Sequence, residues 1–205
     1  MRLETPRLEL RPPHDGELAA LADVAAGGIH PAGERPFLTP WTHLPPQERA
    51  LYVMQQHWLS RGQWRPEAWN LGLGVFREGQ PIGMVSLRGR DFPVLREVKT
   101  GSWLGLAFHG QGFGTEARAA LLHLAFAELG AVAALSEVFQ DNAASQGVSR
   151  KLGYRPDGIS RDVLDGQPVV SDRLRLTQED WERHRRTPVT VTGLEACRRF
   201  FFSEP

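Results

Sequence analysis

Apolar residues recur at spacings of three and four where Ala117, Ala120, Leu121, Leu124 and Ala127 line one face of an amphipathic helix. Thr115 is placed to cap its start, Glu116 suits the first turn, and Gly130 stands where a left-handed C-terminal cap belongs. Similar patterning predicts helices in DGELAALADVAAGG (15–28), QERALYVMQQHWLSRG (47–62), DNAASQGVSRKLGY (141–154, closed by Gly153) and QEDWERHRR (178–186). Alternation, or a short apolar run bounded by turn residues, predicts strands in RLELRP (7–12), EVKTGSWLGLAF (97–108) and ALSEVF (134–139). NLGLGVFREGQPIGMVSLRG (70–89) divides into two strands at Glu78-Gly79, and GISRDVLDGQPVVSDRLRLT (158–177) is a hairpin turning at Asp165-Gly166. Hairpins around one strand–helix–strand unit give an α+β (mixed α/β) fold. IHPAGERPFLTPWTHLPP (29–46) is too rich in proline for regular structure, and a loop that long inside a domain is often functional.

A chain of 205 residues fits one domain with a sizeable core, here 1–186, followed by a tail, 187–205, that packs on the domain or on a second subunit. Three adjacent phenylalanines, 200–202, make a homodimer the expected state, since such a patch is rarely left in water. Formal net charge is zero, which offers no basic field for nucleic acid and no polybasic tract for a membrane surface. Cys197 is the only cysteine, so an internal disulfide and a cysteine metal cluster are excluded, and no metal site is expected. No signal core or spanning run is present, which makes a soluble, cytoplasmic setting the default.

The candidate chemistry lies between the strand ending in SWLGLAF and the helix: His109, Gly110, Gln111, Gly112, Phe113, Gly114, Thr115. A helix start leaves N–H groups unpaired and partly positive, and glycines let a phosphate approach them without meeting a Cβ. The spacing is neither G-x-x-x-x-G-K-[ST] nor G-x-G-x-x-G, because Thr115 takes the last glycine position. Glu137 stands at about the distance of a ribose-binding acid, but the missing third glycine and the hairpins upstream disfavour a dinucleotide site.

Gly112, Gly114, Thr115, Glu116 and Ala117, followed by Asp141-Asn142, Ser145 and Leu152-Gly153-Tyr154, resemble the GCN5-related N-acetyltransferases (GNAT). Thr5 to Arg11 and the strand Ile82 to Leu87 resemble the branch that acetylates ribosomal proteins and protein N-termini. A narrower resemblance, carried by PFLTPWT, RDFP, GSWLGL and the tail, is to a mycobacterial member proposed to use succinyl-CoA. The family likeness implies a twisted mixed sheet with a splayed strand pair, acyl-CoA as co-substrate, and direct attack of an amine on the thioester. It implies pyrophosphate on the backbone N–H groups of Gln111 to Thr115, pantetheine along Leu104 and Leu106, and further contacts from Asn142 and Ser145, which also read as a capping pair.

Three positions depart from the family pattern. His109 replaces an arginine or glutamine, Lys99 replaces a glutamate, and Ser149 occupies the place of the tyrosine that protonates the leaving thiolate. Ser149 and Glu97 are therefore the candidate catalytic residues, with His43 and a water as further options for proton transfer. For the acyl and acceptor end, Arg35 is the candidate for a succinyl carboxylate, with His30, Trp41 and Thr42 beside it. Succinyl is the expected acyl group ahead of acetyl, on a small-molecule or protein amine. Ordinary acetyl transfer and a non-catalytic acyl-CoA-binding protein are the alternatives, the last suggested by Lys99 and Ser149.

Overall fold

The computed structural model describes residues 1–202. Nine strands form one sheet: β1 Arg2–Glu4, β2 Glu9–Arg11, β3 Ala68–Arg77, β4 Gln80–Arg90, β5 Glu97–Leu104, β6 Ala133–Phe139, β7 Arg155–Leu164, β8 Gln167–Thr177 and β9 Thr190–Thr192. Their spatial order is β7-β8-β6-β5-β4-β3-β2-β1-β9. Every neighbouring pair is antiparallel except β5 and β6. The helices are α1 Asp15–Ala26, α2 Pro46–Gly62, α3 Phe92–Leu95, α4 Phe113–His123, α5 Ala143–Lys151 and α6 Gln178–His184. This is the mixed α+β architecture that the patterning predicts.

The sheet has two apolar layers. On one face, Leu18, Leu21, Ala22 and Ala25 of α1 and Val53 of α2 pack on Phe76 and Met84, with Trp41 and Trp103 at the edge. On the other face, Ala117, Ala120, Leu121 and Leu122 of α4 cover Leu73, Val85, Leu87 and Val98. Side chains of one strand alternate between faces. Trp103 thus joins the α1–α2 layer, while Ser102 turns to α4.

The parallel pair β5–β6 is the irregular one. Its register runs only from Glu97↔Ala133 to Lys99↔Leu135, whereas β5 stays paired with β4 from Val98 to Leu104. Beyond Lys99 the two strands part and leave a wedge. Gly105 N–H donates to Ile82 O, so by alternation Leu104, Ser102 and Thr100 present their backbone groups to the wedge. Gly83 keeps β4 close to this strand, because a Cβ there would fall 2.3 Å from Trp103 O.

Several boundaries differ from the sequence reading. Gly112, with φ of 82°, is the N-cap of α4, so the helix begins at Phe113 and Thr115 lies inside its first turn. β5 stops at Leu104, and Leu106–Phe108 form a single tight turn. The end of the long helix widens, with Leu129 N–H bonding Leu124 O and Ala131 N–H bonding Ala125 O. β1 was not legible in advance, and it holds the tail: β9 pairs with it through Leu3↔Val191. Phe201 is 1% exposed, 5.0 Å from the Trp69 ring and 5.1 Å from Trp64. The described part of the tail therefore docks on its own domain through Phe201, while Phe200 stays about half exposed. Among the described residues, no helix is long and apolar enough to cross a membrane, and no group of His, Cys, Asp and Glu is placed to hold a metal ion.

Candidate acyl-CoA cleft and acceptor cavity

The glycine loop leaves the start of α4 bare. The first helical bond runs from Glu116 N–H to Gly112 O, and no side chain caps the helix. The N–H groups of Phe113, Gly114 and Thr115 therefore point outward beside the positive end of the helix dipole. Gly110 and Gly112 have positive φ and need glycine for their backbone alone. Gly114 does not: a Cβ there would make only an ordinary 3.8 Å contact with Leu104. Bareness at 114 serves no neighbour within the chain and suits the close approach of a pyrophosphate.

Positive charge reaches the loop from elsewhere in the fold. Arg7 stacks over the Phe113 ring at 4.6 Å and donates to Gln111 O, and Arg77 lies over the same ring at 5.2 Å. Arg7 is anchored by Glu116, which is 8% exposed and accepts from Arg7 N–H at 3.0 Å, Arg7 Nε at 2.6 Å and Thr5 Oγ1 at 2.7 Å. This latch is what the T-x-R segment does in three dimensions. His109 instead bonds the carbonyl of Leu104 at 3.0 Å, with Nε2 as donor, and Gln111 Nε2 donates to Ala107 O. Leu106 lies beyond the strand, with its N–H given to Gly28 O. The backbone facing the wedge is thus that of Leu104, Ser102 and Thr100, without Leu106.

On the far wall, Asn142 Oδ1 accepts from Ser145 N–H at 3.0 Å and caps α5. Ser149, fully buried, lies further along that helix. Its hydroxyl accepts from Arg118 Nη1 at 3.1 Å. Tyr154 is buried, and desolvation pushes its phenol pKa up. Its hydroxyl lies 3.5 Å from Thr100 Oγ1.

The α1–α2 face of the sheet holds a cavity of about 240 Å³ that reaches β5 at Gly101, Ser102 and Trp103. Trp41, Tyr52, Gln56, His57, Asn70 and Arg88 give its walls their character. Trp41 stacks on Tyr52 with ring centres 5.2 Å apart and meets Trp103 edge-on. No Asp or Glu lines the cavity; its one full charge is Arg88. His57 is 6% exposed, and burial, then Arg61, pushes its pKa down against a smaller opposing effect of Asp15. His57 Nε2 and Asn70 Oδ1 are buried without a hydrogen-bond partner. Such orphans in a cavity wall mark where a ligand or a water completes the bonding.

Of the loop residues expected at the acyl and acceptor end, Trp41 lines this cavity, while Arg35, His30 and Thr42 lie outside it. Arg35 forms an exposed ion pair with Asp165, the turn residue of the β7–β8 hairpin, so its charge is already engaged. His30 contacts Pro31 O and the His43 ring, and Thr42 is buried with its carbonyl accepting from Arg49. Glu97 sits at the closed end of the wedge, bonded by Arg175 at 2.5 Å. Lys99 pairs with Glu137, which also engages the acid of the dinucleotide alternative. The sequence does not single out His57 and Arg88 as site residues, because each stands on a helix or strand whose patterning already accounts for it, and Arg118 reads as a solvated helix arginine until its burial is seen.

A sheet splayed beside a bare helix start, with a cavity on its opposite face, defines an acyl-CoA-dependent transferase architecture. A family profile described as "Acetyltransferase (GNAT) domain" matches residues 7–155, and the chain belongs to that family. It is 32% identical over 113 residues to YdaF of Bacillus subtilis, provisionally described as a ribosomal N-acetyltransferase. That match spans 53% of this chain and 60% of the relative. The fold is shared with a GCN5-related N-acetyltransferase from Brucella melitensis (TM-score 0.71, 19% identity, 90% and 82% of the two chains). It is also shared with the ribosomal L7/L12 α-N-protein acetyltransferase RimL in complex with coenzyme A (0.66, 19%, 84% and 95%). Mycobacterium smegmatis RimJ with CoA-disulfide is similar as well (0.66, 17%, 91% and 94%). None of these relatives is a succinyltransferase by description, and the succinyl resemblance gains no support from them.

Proposed function

We propose that this protein is an acetyl-CoA-dependent N-acetyltransferase acting on an amine, with a protein N-terminus of the ribosomal type as the leading acceptor. The observation that carries the proposal is the meeting of two sites at one stretch of strand. The wedge beside Thr100 to Leu104 opens toward the bare start of α4, and the cavity reaches the same strand from the other face at Gly101 to Trp103. A thioester held in the wedge would face an amine held in the cavity, and positioning of this kind is the largest contribution such a site can make.

The chain's own residues supply the rest. Phe113, Gly114 and Thr115 donate N–H groups to the pyrophosphate, with Arg77 adding charge. Leu104, Ser102 and Thr100 pair with the pantetheine arm. His57 accepts the amine proton, directly or through one water, because it is the one group lining the cavity with an ordinary pKa near neutrality. Ser149 donates a hydrogen bond to the departing sulfur. Arg88 would hold a carboxylate on the acceptor.

Acetyl leads over succinyl because the ribosomal-type relatives support it. The test is thiol release with acetyl-CoA or succinyl-CoA and short peptides bearing ribosomal-protein N-termini, each with a free or blocked α-amine. Turnover should require the free amine and favour acetyl-CoA. Equal thiol release with and without a free amine would reject amine acylation, and preference for succinyl-CoA would restore the other donor.

A further inference from the structure

One side chain of α4 contradicts the apolar face it stands on. Arg118 is 6% exposed, between Ala117 and Leu121, where helical packing calls for an aliphatic residue. No carboxylate pairs with it among the described residues. Nη1 donates to Ser149 Oγ at 3.1 Å, Nη2 to Ser102 Oγ at 3.3 Å, and Nε has no partner. The other titratable group facing it is Tyr154, whose buried phenol stays neutral. Burial pushes the pKa of Arg118 down, against a smaller effect of Tyr154. A buried cation without a counter-ion is costly, and an aliphatic side chain of similar volume would often serve stability as well or better. The charge is therefore better explained by recognition of an anionic group than by stability.

The two hydroxyls that Arg118 joins lie on opposite walls of the wedge, Ser102 on β5 and Ser149 on α5. We propose that Arg118 is a positioning residue for the departing thiolate of coenzyme A: it orients the Ser149 hydroxyl toward the sulfur and supplies a fixed positive field there. This rests on the acetyl-transfer reading above. Ser149 Oγ accepts from Arg118, which leaves its single proton free to donate to a further partner. The amine nitrogen forms its bond to the acyl carbon as the carbon–sulfur bond breaks. The electron pair stays on sulfur, the amine proton passes to His57, and the thiolate takes a proton from solvent as it leaves. A serine can thus replace a phenolic acid because it need not give up its proton; the neighbouring charge makes the thiolate a sufficient leaving group.

The direct test is the titration of the thiol of bound coenzyme A, followed by thiolate absorbance, in wild type, Arg118→Met, Arg118→Lys and Ser149→Ala. The reference is the thiol of free coenzyme A titrated in the same buffer. Bound to wild type it should titrate about one to two units lower, return to the free value in Arg118→Met, and fall between in Arg118→Lys and Ser149→Ala. With a turnover assay in hand, kcat of Arg118→Met should drop on the order of 100-fold while KM for acetyl-CoA changes less than about threefold. An unshifted thiol on wild type, or the same shift in wild type and Arg118→Met, would show Arg118 to be only a strut between the walls. If Arg118→Met does not fold, the wild-type and Ser149→Ala titrations decide alone. Absence of coenzyme A binding to wild type is a different result, and it overturns the acetyl-transfer reading and this inference together.

Discussion

His57 shows how a site residue hides in a sequence. On α2 it follows Val53 by one turn, as any core-facing histidine would, and only the fold brings it beside Asn70 and Arg88 in one cavity. Burial favours its neutral form, so its proton affinity in the folded chain lies below the ordinary imidazole value of 6.5. Activity should therefore be full at neutral pH and fall as pH drops through that lowered value. Stability should decline on the same acidic side, since protonation is easier in the unfolded chain. In His57→Gln, kcat/KM should drop about 100-fold and lose this acid limb; a retained limb would assign it to another group. Arg118 was missed for a related reason: a single arginine in a helix reads as a solvated side chain until its burial is seen. Arg35 differs again, since nothing in the loop's composition reveals its ion pair with a residue on the distant β7–β8 turn.

Elements were more legible than their ends. Periodicity located α1, α2, α4, α5 and α6, and turn residues located both long hairpins, because these signals are local. The start of α4 moved to Gly112 because a glycine with positive φ took the cap, leaving Thr115 inside the helix. β1 is three residues long and owes its existence to pairing with β2 and, across almost the whole chain, with β9, which no local pattern encodes. The latch between Thr5, Arg7 and Glu116 joins two segments that the sequence offered separately. Glu116→Ala should lower unfolding free energy by about 2 kcal/mol, discounted for the half-exposed Arg7. It should also weaken coenzyme A binding by loosening the glycine loop. Urea unfolding and calorimetry check the two effects; loss of neither would reduce the latch to a surface ion pair.

Across the whole molecule, the tail completes the domain. Phe201 fills a pocket against Trp64 and Trp69, and Trp64 Nε1 donates to Phe200 O at 2.8 Å. Phe201→Ala should cost about 3 kcal/mol in urea unfolding, and an unchanged midpoint would mean that the aromatic cluster closes without it. The resemblance made the cofactor side legible, as glycines and a helix start declare their chemistry in one stretch of chain. The acceptor side was not, because its cavity draws on α2, β3, β4, β5 and the proline-rich loop together. Calorimetric titration of coenzyme A into wild type and Gly114→Val joins these halves most directly. Binding to wild type with at least a tenfold loss in the variant, at unchanged thermal stability, would place the pyrophosphate on the bare start of α4. Equal binding by both proteins, or none by wild type, would contradict that placement.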